Sequence, residues 1–498
     1  MTEQEQIRKE HADTLISLGY PTFPSVHSES THTSSSAIAD FEASNEEDIP
    51  VVVHGRIGAK RILGKVSFFH LEDNEGKIQI YAARDILGAD YYNQCFKKLL
   101  DRGDYVQIVG TLFRTQKGEI TVKAYEISLL AKSLSPLPEE KVVDTEEGVV
   151  VYNSVNDRET KYRQRYVDLA IHTETHERFK KRSLIIRTLR SVFDKNDFLE
   201  VETPILHDMK TGAAAQPFHT HHNALNDDKV LRIAPELYLK RCLVGGMPAV
   251  YEIGKNFRNE GISRFHNPEF TMLEAYKVCT NYVWLMTFLE RLINTITYAV
   301  HNQYSFEWLG HTINIHKQFD KISFYQALEN ATKMSWKELS IDKLIEQAQS
   351  LGMDTTEISA ESKLLDAVFS KYVEPTLIQP TFITDYPTIL SPLAKQKIND
   401  PTLTERFELF IAGKEIANGF SELNDPFEQR ERFEQQAKMS LLGDDDAMDR
   451  IDEDYITALM YGMPPASGIG IGVDRLVMML TNTNSIKDVI LFPTLKSR

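Results

Sequence analysis

Cysteine is almost missing from this chain of 498 residues: Cys95, Cys242 and Cys279 lie far apart and without metal-type spacing. A disulfide framework is thereby excluded, and a reducing cytoplasm is the expected location. Long apolar runs are missing too, since no stretch reaches the roughly 20 residues that cross a bilayer. No membrane partner is expected. The opening residues, MTEQEQIRKE, are acidic and polar, which suits neither a secretory signal nor an arginine-rich transit peptide. Positive charge is in deficit, with 56 Lys and Arg against 72 Asp and Glu and a net charge of -16. That balance disfavours broad electrostatic adhesion to nucleic acid but leaves a local basic site open, and an acidic pocket for a cationic substrate would deepen the deficit. What is present is ordinary for a globular protein: 42% hydrophobic and 26% charged residues, with room for two or three domains.

The most informative stretch is YEIGKNFRNEGISRFHNPEFTMLEAY, from Tyr251 to Tyr276. It reads as two strands joined by a polar loop, with Gly261 and Asn267-Pro268 as turn signals. Alternation puts Glu252, Asn256, Arg258 and Glu260 on one face of the first strand, and groups Phe270, Met272, Glu274 and Tyr276 on the second. A guanidinium, an aromatic face, two carboxylates and a phenol on one surface suit a substrate that is part anion, part flat ring and part cation. A solvated amphipathic hairpin is the plainer reading. The loop residues His266 to Phe270 are an improbable set to leave facing water.

Elsewhere the signals are individually weaker. Gly212, before three alanines, reads as a loop that lets backbone approach a ligand. Glu236 opens an apolar helix, where most lone glutamates are caps. ERFELFIAGKEIANGFSELNDP reads as a hairpin turning at Ala412-Gly413-Lys414, with Asn418, Phe420 and Glu422 on one face. Strict counting sends Glu415 to the other face, so a bulge or the turn must bring it round if it acts with them. Glu408 and Glu415 could hold magnesium together with substrate phosphates, or be two solvated glutamates. In ASGIGIGVDRLVMMLT, Gly468, Gly470 and Gly472 leave one strand face as bare backbone, and Arg475 falls in the first turn of the helix that follows. His219, His221 and His222 lack further ligands at zinc spacing. From Asn281 to about Glu374 the chain reads as helical and uninformative.

Toward the amino end, residues 1–47 read as a flexible arm, rich in Ser, Thr and His from Ser25 to Asn45 and without apolar period. Residues 48–134 read as about five short strands with one helical piece near Tyr91–Leu100, the pattern of an OB-fold barrel. Arg56, Lys60, Arg61 and Lys65 cluster with Phe68 and Phe69, either as a single-strand nucleic-acid surface or as a basic rim over core phenylalanines. Residues 135–155, beginning Ser-Pro-Leu-Pro and then acidic, read as a linker, and 156–498 as the larger domain. There a helix from about Thr175 to Asp194 runs into a strand that Pro204 marks as an edge or interface.

The set FRNEG, HNPEFT and Glu274-x-Tyr276 resembles motif 2 of class II aminoacyl-tRNA synthetases, in the form of the lysine enzymes. The helix–strand–Pro204 segment is similar to motif 1, the dimer contact, and GIGIGVDR with Arg475 to motif 3. The order barrel, motif 1, motif 2, motif 3 covers the chain from about Asp48 to Phe492.

The resemblance implies an α+β protein: an N-terminal OB-fold barrel followed by a catalytic domain on a mostly antiparallel sheet. It implies activation of L-lysine by ATP and transfer to tRNA(Lys), in a homodimer using Mg²⁺. Arg258, Glu260 and Arg475 would be catalytic. ATP would meet Arg258, Glu260, His266, Asn267, Phe270, Glu408, Glu415 and Arg475, with Mg²⁺ on Glu408 and Glu415. Lysine would meet Gly212, Glu236, Arg258, Glu274, Tyr276, Asn418, Phe420 and Glu422. Phe68, Gln79 and Glu119 would read the anticodon. An aspartate enzyme would need cationic groups where Glu274, Tyr276 and Glu422 stand. The alternative is a protein-lysylating or catalytically inactive paralogue that keeps an RNA-binding barrel.

Overall fold

A computed structural model of the chain describes residues 1–44, 48–138, 141–145, 148–152, 155, 157–356, 360–441 and 450–497. The chain divides into two compact units, Met1–His176 and Glu177–Arg498.

The first unit is built on five strands: β1 (Ile49–Leu63), β2 (Val66–Glu72), β3 (Lys77–Ala83), β4 (Tyr105–Arg114) and β5 (Ile120–Ala131). They close into a barrel in the order β1-β2-β3-β5-β4, the form expected of an OB-fold. Alternate residues such as Val51, Val53, Ile80, Val106 and Ile108 fill the interior.

The expected flexible arm instead carries two helices, α1 (Glu3–Ser17) and α2 (Ser34–Ser44). Leu15, Ala37 and Phe41 join the barrel core. The remaining ties are polar: Arg8 donates to the carbonyls of Arg102 and Ser133, and Ser34 bonds Asp73 through both its N–H and its hydroxyl. A segment held mainly by hydrogen bonds to a neighbouring surface shows little apolar periodicity, which is why it reads as an arm. The last three residues of that span, 45–47, lie outside the described residues, as do 139–140, 146–147, 153–154 and 156 in and beside the expected linker, and the acidic run at 443–446. The described part of the linker holds a two-stranded antiparallel ladder, Lys141–Thr145 with Gly148–Tyr152.

The basic cluster also divides. Lys60 is largely buried, donating to the carbonyls of Phe96 and Leu100 with its Nζ over the Phe96 ring, and Phe69 is core. Arg56 donates to the Gly103 carbonyl. Arg61 stands opposite Phe68 on the adjoining strand. Part of the apparent nucleic-acid surface is therefore barrel scaffolding.

The second unit is organised on an eight-stranded sheet: β6 (Leu199–Glu200), β7 (Ala249–Phe257), β8 (Glu269–Val278), β9 (Asp320–Ser323), β10 (Thr381–Thr384), β11 (Arg406–Ile411), β12 (Lys414–Ser421) and β13 (Ala466–Gly472). Their order is β9-β10-β11-β12-β13-β8-β7-β6, antiparallel except at the two outermost pairs. Helices α3 (Thr173–Asp194), α4 (Glu236–Val244), α5 (Tyr282–His301), α6 (Glu453–Met460) and α7 (Val473–Leu480) position the site discussed below. One face of the sheet packs on α3, α5 and α7 through Leu189, Phe193, Leu289, Leu292, Leu476 and Val477. The span from Asn281, expected to be helical, also contains β9 and a short hairpin, Ser305–Trp308 with His311–Asn314. Strands of four residues are too short to show a period.

No helix among the described residues is long and apolar enough to cross a membrane.

Candidate active site

The other face of the sheet floors a cavity of about 480 Å³. The strands β7 and β8 pair in the register Glu252↔Glu274 and Asn256↔Phe270. Phe270, Met272, Glu274 and Tyr276 accordingly enter the cavity from β8, as alternation requires. Strand β7 ends at Phe257, so Arg258 and Glu260 reach it from the loop rather than from a strand face; the Arg258 N–H is anchored on the Pro268 carbonyl.

On the neighbouring hairpin the register shifts: Leu409 pairs with Ala417 but Phe410 pairs with Glu415. Ile416 is the extra residue of a bulge, and the bulge turns Glu415 to the side of Asn418 and Phe420. Glu408, Glu415, Asn418 and Phe420 all line the cavity, together with Gly212, Glu236, His266, Asn267 and Arg475.

Three glycines of β13 line it as well, but Gly468 is bare for a different reason than expected. A Cβ there would lie 2.2 Å from the Glu422 carboxylate and 2.3 Å from the Tyr276 ring. The open strand face accommodates the protein's own side chains before any ligand. Gly212 adopts φ +86, with its position closed in by Ala234 and Glu236.

At one end of the cavity stand carboxylates. Glu274 is buried and accepts from the Tyr276 hydroxyl at 3.0 Å. Burial, reinforced by Glu236, pushes its carboxyl up to about 8. Glu236 pairs with Lys240 at 2.6 Å. Glu422 corrects an expectation: it does not line the cavity but lies fully buried behind it, paired to Lys240. It follows the last residue of β12, and its N–H bonds to the Ala466 carbonyl, which turns its side chain under Gly468.

Across the cavity the balance reverses. Arg258 lies with its guanidinium 5.2 Å from the Phe270 ring centroid, opposed by burial and drawn by Glu260, Glu415 and Glu274. Its Nε is buried with no partner. An always-charged, incompletely satisfied guanidinium beside an aromatic face suits an anion joined to a flat ring.

Arg475 sits in the first turn of α7 and donates to the Glu415 carbonyl at 2.9 Å and its carboxylate at 3.1 Å. His266 faces the same arginine at 3.2 Å; burial and the nearby Arg475 and Arg258 hold its pKa down, so the neutral ring offers Nε2 as acceptor. Glu408 accepts from Arg406 at 2.5 Å and from the Tyr386 hydroxyl at 2.8 Å, and burial pushes its carboxyl up.

Four contributors went unread in the sequence. Lys240 carries a findable signal, four residues after Glu236 on one helix. Arg406 shares a strand face with Glu408 at spacing two. Asp474 ties α7 to the sheet, pairing with Arg182 at 2.6 Å and accepting from the Thr271 N–H at 2.7 Å, and Tyr386 arrives from a distant loop. Neither carries a local pattern.

Expected anticodon residues meet on the barrel. Gln79 donates to Glu119 at 2.6 Å and accepts from Thr121 at 2.9 Å, which fixes the amide orientation. Phe68 lies 5.3 Å from Tyr81, which lies 5.9 Å from Phe113, a short aromatic row.

Residues 51–130 match the OB-fold nucleic acid binding domain, and residues 157–496 match the tRNA synthetases class II (D, K and N). Among curated relatives, the chain is similar to a lysine–tRNA ligase of Carboxydothermus hydrogenoformans, 47% identical over the whole of this chain and 99% of that one. Lysine–tRNA ligases of Christiangramia forsetii and Porphyromonas gingivalis are 45% and 44% identical, again over the whole of this chain and 86% of each relative. With its motifs gathered on one sheet face and the match spanning most of its length, the chain belongs to the class II tRNA synthetases (D, K and N).

Proposed function

We propose that the protein activates L-lysine with ATP to lysyl-adenylate and passes the lysyl group to the 3′ end of tRNA(Lys). The observation that carries this reading is a charge balance. Glu236, Glu274 and Glu422 face one resident cation, Lys240, leaving the ionised pocket two negative charges in excess. Arg258 stands beside it as an anion site. Free lysine supplies the complement: two ammonium groups and one carboxylate. Aspartate would put a second carboxylate against Glu274, at the cost of a buried like-charge pair.

Arg258 binds the lysine carboxylate and the ATP α-phosphate together, bringing nucleophile and phosphorus into line. The carboxylate oxygen attacks the α-phosphorus, the bond to the bridging oxygen breaks, and pyrophosphate leaves with the electron pair. An ionised carboxylate needs no general base, so the residues position groups and stabilise charge. Phe270 stacks on adenine, and Arg475 exchanges Glu415 for phosphate oxygens.

The donors fit a divalent cation. Glu408 and Glu415 are hard carboxylates on one wall, and no group of three or more metal-binding side chains occurs among the described residues, so a metal there must share its coordination with phosphates. Mg²⁺ so held would neutralise charge on the leaving pyrophosphate. A homodimer through the Pro204 region is supported by Leu199, Ile205 and Leu206, three exposed apolar residues beside the sheet edge; sedimentation of the purified chain checks it.

The test is pyrophosphate exchange into ATP across the standard amino acids: lysine alone should support it, and exchange with aspartate or asparagine in its place sinks the reading. On the barrel, Phe68→Ala with Gln79→Ala should weaken tRNA charging by about 1–3 kcal/mol for the lost stack and leave exchange intact. Equal damage to both reactions would remove the barrel from anticodon recognition.

A further inference from the structure

Behind the cavity stands a lysine of the protein's own. The Lys240 side chain is 0% exposed, as is that of Glu422. Its ammonium lies 2.6 Å from Glu236, is paired to Glu422, and sits 5.3 Å from the Phe420 ring centroid and 6.0 Å from that of Tyr276. Two carboxylates and two aromatic faces around a cation make the kind of environment a lysine side chain would seek as a ligand. Here part of it is already filled. No hydrogen bond to Glu422 occurs among the described residues, which leaves the Lys240 charge as its compensation.

We propose that Lys240 is a positioning residue for amino-acid selection, a resident ammonium that holds Glu236 and Glu422 charged and in place, so that the substrate ammonium is left Glu274 and Tyr276. This rests on the lysine specificity proposed above. The groups facing Lys240 come from every side: Glu236 on its own helix, Phe420 and Glu422 on and beyond β12, Tyr276 on β8, and Tyr455 on α6, with Glu274 next to Glu422 and Arg241 over the Tyr455 ring. Burial and the mutual repulsion of Glu236, Glu274 and Glu422 favour their neutral forms, and Lys240 is the opposing charge for Glu422. Without it these carboxylates take up protons, and a neutral carboxyl no longer draws the substrate's ammonium.

The experiment compares the parent, Lys240→Met and Lys240→Met/Glu422→Gln in lysine-dependent pyrophosphate exchange at pH 7 and 8.5. Lys240→Met should raise the lysine KM about tenfold at pH 7, one pKa unit of protonation being a tenfold loss. The increase should shrink at pH 8.5, with kcat and the ATP KM nearly unchanged. The double variant, which removes both charges and keeps the volume, should recover part of the loss at pH 7.

An unchanged or lower lysine KM in Lys240→Met overturns the proposal, as does a parallel rise for ATP. A double variant worse than the single one overturns it too. Should Lys240→Met fail to fold, a double variant that folds and uses lysine supports the pairing, and one that fails to fold leaves Lys240 a packing element and overturns it. Failure of the parent itself to exchange with lysine would sink the specificity reading instead, so the two failures are distinguishable.

Discussion

The two ends of the cavity use the same chemistry, carboxylates held by resident cations, with different accessibility. At the amino-acid end the cation is Lys240, enclosed on all sides. At the phosphate end Glu415 is held by Arg475, and both side chains keep partial access to solvent, 39% and 25% exposed. A fully buried pair is costly to break because each partner would be left an unpaired buried charge, whereas a half-exposed pair is worth little and exchanges readily. The first arrangement suits a permanent wall. The second suits a site whose partners are traded for phosphate.

Arg258 stands between the ends, and its loss should have the largest effect. Arg258→Ala should lower kcat/KM for exchange by about 3 kcal/mol or more, the scale for one charge-stabilising donor, with the melting curve preserved. Arg258→Lys should also be poor, because a point charge cannot span carboxylate and phosphate. Near-parental exchange in either variant would remove the shared contact.

Glu274→Gln should separate the ends more finely. It removes a charge-assisted hydrogen bond worth about 1.5–3 kcal/mol, so the lysine KM should rise about tenfold to a hundredfold. The ATP KM should stay close to the parent's. Equal shifts in both constants would mean that the two ends are one site.

The smallest effect expected is that of pH. Burial lifts Glu274 from an ordinary 4.5 to about 8, so its ionised fraction, and lysine binding with it, grows as pH rises from 6 to 8. The lysine KM should fall by at most about tenfold per pH unit in that window. For the ligand-free protein the sign is opposite. A carboxyl whose folded pKa is raised stabilises fully below its unfolded pKa, and that stability is lost as pH climbs toward 8. Added lysine should therefore raise the melting temperature more at pH 8 than at pH 6, and an equal shift at both would contradict the buried carboxylate.

How much of this was legible follows the range of the signals. Phe270, Met272, Glu274 and Tyr276 could be placed on one face from alternation alone, because one strand's pleat holds them there. Counting also showed that Glu415 needed a bulge, and Ile416 provides it. It could not show that Glu422, two residues past Phe420, would pass beneath Gly468 to meet a helix lysine. Nor could it show α2, where Ala37 and Phe41 supply the only apolar contact and Ser34 caps itself on Asp73 of another strand.

The sequence by itself determined the barrel, the sheet, the three motifs and most of the cavity's side chains. Those depend on local periodicity, turn chemistry and residue type, which the chain carries at each position. Tertiary structure alone decided which carboxylates face a substrate and which face the protein. Burial and the position of a cation more than a hundred residues away in the chain, as Lys240 is from Glu422, set a carboxyl's charge and its partner, and both arise only once the sheet and helix have packed.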